Sequence, residues 1–128
     1  MRILVVASIL ALALTRVAAA DDKPWAAGVS DAEQQKALAI YREGNAEFEE
    51  SRYAQALTKY REALKHWDHP AIRFNMAVCL INLQQPLEAF EHLEAGMKYG
   101  AAPLGPELYA QGVTYKKLLD GQLTHLKV

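Results

Sequence analysis

Gly44 and Ala77, Ala56 and Ala89, and Ala63 and Gly96 each stand 33 residues apart. The same offset joins Leu57 to Phe90, Tyr60 to Leu93, Leu64 to Met97 and Pro70 to Pro103. Residues 37–70 and 70–103 therefore carry one pattern twice: small on small, large apolar on large apolar, with proline closing each unit. A unit of this length cannot bury its own apolar face and must stack on its neighbour. The chain is thereby expected to be an all-α stacked array, an architecture that serves binding more often than chemistry.

The N-terminus reads differently. Met1-Arg2 is a short basic start, Ile3 to Leu14 is nearly all apolar, and Ala18-Ala19-Ala20 offers small residues for cleavage. That layout predicts a secretory signal peptide over residues 1–20. The apolar run is shorter than the roughly 20 residues a membrane span needs, so no integral span is expected after cleavage. An uncleaved N-terminal anchor is the rival reading. Cleavage lowers the 14 basic residues by two, to 12, against 15 acidic ones. A mildly acidic surface argues against nucleic acid as a partner. The single cysteine, Cys79, lies in the apolar stretch Met76 to Ile81 and rules out a disulfide framework. A buried, unreactive thiol is expected there.

Residues 21–30 read as a flexible leader. Ser30 with Glu33 forms a capping-box signature, opening a first helix over about residues 31–50. Tyr53 to Trp67 continues the helical period in a second helix. His69-Pro70 breaks it, and Ile72, Met76, Leu80 and Leu83 mark a third helix. Pro86 opens a fourth and Pro106 a fifth, the last ending at Asp120-Gly121. The segment 121–128 is expected to be a tail or the beginning of a strand, because Leu123 to Val128 alternates in polarity. It could fray, pair with another chain, or lead into further sequence.

With these positions in place, the repeats resemble the tetratricopeptide repeat, a helix-turn-helix unit of 34 residues. Gly44-Asn45 matches the family's Gly-Asn element, and Phe48 and Tyr53 match its large residue one turn on and its turn aromatic. Ala56, Tyr60 and Ala63 match the second helix. The second copy supplies Asn75, Met76, Ala77, Leu80, Ala89, Leu93 and Gly96. The resemblance covers about residues 35–100. Glu43 and Glu47 stand where the family's pattern is apolar, and both prolines lie two residues late. The resemblance implies an α-α superhelix over residues 31–120, with two helical hairpins and a C-terminal capping helix. Leu108-Tyr109-Ala110-Gln111, with Tyr115 to Leu123, is similar to exported bacterial proteins whose helical repeats precede a PEGA-type β domain.

The chemistry-bearing residues form no catalytic set. His66 and His69 are three apart but sit at a helix exit, and a zinc site needs three or four ligands. Glu47, Glu49, Glu50, Glu88, Glu91 and Glu94 fall on polar helix faces, where solvated charge is the default. No enzyme, cofactor or metal is expected. Asn45 and Asn75 match the two asparagines of the family's carboxylate clamp, but Tyr41 replaces its first lysine. An interhelix hydrogen bond is the expected role of Asn45.

The function these features imply is protein–protein interaction, as an adaptor or scaffold in the periplasm or secreted space of a bacterium. A protein or peptide partner would lie in a concave groove formed by Tyr41, Asn45, Phe48, Phe74, Val78 and Ile81. Repeat-to-repeat packing is the competing role for these six. Self-assembly, and an accessory part in an envelope enzyme complex, are the other classes.

Overall fold

The computed structural model describes residues 23–126. The export segment expected over residues 1–20 lies outside the described residues. Five α-helices follow one another: α1 (Asp31–Glu49), α2 (Tyr53–His66), α3 (Pro70–Asn82), α4 (Pro86–Met97) and α5 (Pro106–Leu126). A one-turn 3-10 helix, Pro24–Ala26, precedes them. The described residues contain no strand. Among them no helix is long and apolar enough to cross a membrane.

Four of the five helices, all but α2, begin where the sequence supplies a start signal. Ser30 caps α1, its Oγ accepting from the Glu33 amide at 3.2 Å. Asp31 and Glu33 in the first turn also complement the helix dipole. Pro70, Pro86 and Pro106 each occupy the first helical position, where a missing N–H costs nothing. His69 adds an unforeseen cap for α3: its Nδ1 accepts from the Ala71 amide at 2.9 Å.

The hairpin corners repeat at the same 33-residue offset. The Arg52 amide donates to Glu47 O at 2.9 Å, and the Gln85 amide to Leu80 O at 2.8 Å. Ser51 donates to Phe48 O, and Gln84 to Ile81 O. This pair of bonds is a Schellman closure, which satisfies carbonyls that the helix end leaves free. The short corners fold α2 back along α1, and α4 back along α3, and these pairs make the densest interhelical contacts.

Small residues set how close the helices come. Ala37, Ala56, Ala63, Ala77 and Ala89 are fully buried among Tyr60, Ile72, Met76, Leu80 and Leu93. At Gly44, an added Cβ would stand 2.6 Å from Tyr60 Cε1. At Gly112 it would stand 2.7 Å from Met97 Sδ and 3.3 Å from Phe74 Cε2. Cys79 is fully buried in this core, and burial pushes its thiol up to about 11.

Two expectations are corrected. Over its described residues, 121–126, the C-terminal segment is helix and not an incipient strand: α5 runs past Gly121 to Leu126. Leu119 is buried and Leu123 half-buried, four residues apart, so the apolar stripe continues in helical register. Thr124 Oγ1 adds a bond to Asp120 O at 2.8 Å. The second correction concerns the leader. Residues 23–30 are docked, not free. The Trp67 indole Nε1 donates to Trp25 O at 2.8 Å, and Gln34 Nε2 donates to Val29 O at 3.1 Å. Residues 23–29 thus form a strap across the α2–α3 junction.

Candidate interaction face and strap cleft

Tyr41 and Asn45 lie one turn apart on α1, which brings them onto a common face. Asn75 on α3 meets both. Its Nδ2 donates to Tyr41 Oη at 2.9 Å and to Asn45 Oδ1 at 3.2 Å. Tyr60 on α2 completes the cluster, donating to Asn45 Oδ1 at 2.6 Å. The Tyr41 and Tyr60 rings lie 5.6 Å apart, tilted by 42°. Burial raises both phenols above their ordinary value of 10, so each stays a neutral O–H. Four polar side chains from three helices therefore share one hydrogen-bonded knot, with Asn45 Oδ1 at its centre.

The interhelix bond expected of Asn45 is present. The part played by Tyr60 was not foreseen, though the sequence carried its signal. In the second repeat Val78 stands at the Asn45 position and Leu93 at the Tyr60 position. Donor and acceptor occur together in one copy and are absent together from the other.

The six expected groove residues separate. Tyr41 and Asn45 share the knot. Phe48 is half-buried and meets Tyr53 edge-on at 5.5 Å. Phe74 is a correction: only 2% exposed, it packs between α3 and α5 against Tyr115, with ring centroids 6.3 Å apart. It serves helix packing and presents no groove surface. Val78 is half-buried against the core. Ile81 lines a separate depression of about 250 Å³ with Pro86, Leu119 and Gln122.

A second concavity, about 270 Å³, lies between the strap and the α3–α4 hairpin. Trp25, Val29, Pro70, Arg73, Lys98 and Tyr99 line it, together with Asp68. Arg73 grips Asp68 through two bonds, Nε to Oδ1 at 2.8 Å and Nη2 to Oδ2 at 2.9 Å. This guanidinium holds the Asp68 carboxyl below its ordinary value of 3.8. Arg73 Nη1 also donates to His92 Nδ1 at 3.0 Å. That bond requires a neutral ring at His92, and burial, with Arg73 beside it, lowers its pKa. Reading the leader as flexible hid this cleft from the sequence.

The histidines three residues apart turn to different partners. His66 Nδ1 meets Glu33 Oε2 at 2.6 Å, tying the end of α2 to the start of α1. His69 faces its own helix amide and the two tryptophan rings. No group of three or more His, Cys, Asp or Glu side chains gathers as a metal set among the described residues. Compared with known proteins, the chain matches no family model, no curated protein and no solved structure.

Proposed function

We propose that the chain is an exported, non-enzymatic binding module of tetratricopeptide type, holding a protein or peptide segment as an adaptor in a bacterial envelope. The observation that carries the reading is the 33-residue recurrence of helix geometry. Helices α2 and α4 begin 33 residues apart, α1 and α3 end 33 residues apart, and the two corners share their hydrogen bonds. Contacts from α1 to α3 through Asn75, and from α3 to α5 through Phe74, support a stacked superhelix. In such a stack α1, α3 and α5 line one side.

On that side the knot offers groups to a partner. Tyr41, Asn45 and Asn75 are each half-buried, so the knot keeps an edge toward solvent. Its two amide side chains carry both donor and acceptor atoms. An extended segment could meet them with its own amide groups. Tyr41 and Asn45 are the residues assigned to the contact, with Asn75 added and Phe74 withdrawn.

Panning a displayed peptide library against the immobilised chain tests this, with Tyr41→Ala as the counter-target. Peptides that bind the parent and lose binding to a variant of unchanged helicity are expected. Equal enrichment on both would overturn the groove assignment. Self-association is the second reading, resting on Leu118 of α5, 59% exposed. It predicts a concentration-dependent mass in sedimentation equilibrium that Leu118→Glu abolishes.

A further inference from the structure

His69 occupies an unusual station. Its Nδ1 is the acceptor that caps α3 at Ala71, so the ring is neutral with its proton on Nε2. Its ring meets Trp67 edge-on at 4.5 Å and Trp25 at 6.5 Å. Trp67 in turn holds the strap through the Trp25 carbonyl, and Trp25 extends to Tyr99 at 5.8 Å. One imidazole therefore joins the cap of a helix to the attachment of a separate segment. We infer that His69 is a pH-sensitive latch, and that its protonation frees the strap of residues 23–29 and opens the cleft beneath it.

The chemistry follows from the atoms. A proton on Nδ1 removes the lone pair that accepts from Ala71, leaving that amide without a partner and turning two donors toward each other. The new charge would also sit in a half-buried aromatic setting. The surrounding charges divide. Lys23 of the strap opposes the imidazolium, while Asp68 beside it favours it. Asp68 is already committed to Arg73 of α3, and Lys98, just past the end of α4, lies near the same carboxylate. At the end of α2, His66 is engaged with Glu33. Burial is the largest influence and holds His69 below the ordinary imidazole value of 6.5.

The sign is fixed by that direction. The docked state prefers the neutral ring, and the released state takes a proton more readily. Docking is thus fully present above 6.5 and weakens as pH falls below it. Because the opposing charge, Lys23, lies on the strap, the strap is the element that leaves. The helical array keeps its own core.

The chain's only tryptophans are Trp25 and Trp67, so both indoles report on the latch. The full chain is titrated from about pH 8 to about pH 5, a range in which histidine changes charge. NMR follows the His69 ring protons and the Trp67 indole N–H, and far-UV circular dichroism follows the helices. The Trp67 indole signal is expected to be lost to solvent exchange with the same midpoint as His69, below 6.5, at constant helicity. His69→Asn keeps an acceptor for Ala71 without a titrating group, and is expected to abolish the pH dependence whether its strap is docked or free. His66→Gln and His92→Gln are expected to retain it. A Trp67 signal indifferent to His69 titration would overturn the latch, as would a transition that survives in His69→Asn or disappears in either control.

Discussion

Ser51 and Gln84, 33 residues apart, hold the same left-handed backbone conformation, with φ of 57° and 59°. Each is the residue at which a helix hands over to its antiparallel partner. Neither is glycine, although that conformation costs an L-residue about 1–2 kcal/mol when repeated along a chain. The two corners are therefore built alike and strained alike.

Relief of that strain gives the first expectation. Ser51→Gly and Gln84→Gly should each stabilise the fold, by about 0.5–1 kcal/mol after the added freedom of the unfolded glycine is subtracted. Urea midpoints measured on the single and double variants check this. The two gains should be similar, and the double variant reads whether they add.

Two glycines should respond oppositely to alanine. At Gly44 the new methyl would drive into the Tyr60 ring, costing about 1–3 kcal/mol through overpacking. At Gly121 nothing lies within 4 Å of the added Cβ, and α5 passes through it. There alanine should stabilise by roughly 0.5–1 kcal/mol. Were α5 to end before Gly121, that gain would vanish, so thermal denaturation of Gly121→Ala also tests the length of the helix.

The knot around Asn45 should behave as a coupled unit. Tyr60→Phe removes the donor and should cost about 0.5–1.5 kcal/mol. Asn45→Val with Tyr60→Leu copies the second repeat and removes both bonding partners together. Its cost should be less than the sum of its single changes. A double-mutant cycle that returns no coupling would mean the 2.6 Å bond contributes nothing to stability.

Titration offers two further checks. The Asp68 carboxyl should titrate below 3.8 and move upward in Arg73→Gln, because the guanidinium is the chief cause of its depression. With the folded value depressed, the stabilisation from this pair is present above 3.8 and lost as pH falls through the folded value. Carbon-detected NMR of the side chain reads it directly. Cys79, fully buried with its thiol pushed up to about 11, should resist a disulfide reagent at neutral pH. It should react at once in denaturant.

The array was legible because small residues recur where helices touch, and that requirement is local enough to survive in a linear pattern. What escaped depended on partners distant in the chain. Phe74 matches Tyr41 in the repeat, but α5 covers it with Tyr115, and nothing near Phe74 announces that cover. The strap was hidden because the run around Trp25, broken by Pro24 and Gly28, is too short to show any helical or strand period. Its anchor, Trp67, lies 42 residues away. Alternation over six residues near the C-terminus suggested a strand, whereas Leu119 and Leu123 set the longer, helical register. Tyr60 and Asn45 were readable in principle, since they depart from the repeat together.

Trp67 grips the strap by a main-chain carbonyl, and this has a mechanical consequence. A pull on the chain ahead of Lys23 meets the Trp67–Trp25 bond and its ring contacts before it reaches the Ser30 cap. Those contacts peel one after another, whereas the paired helices behind them would have to shear together. The strap thus acts as a fuse: tension is spent undocking eight residues' worth of chain or fewer, and the hairpins carry load only after it has gone.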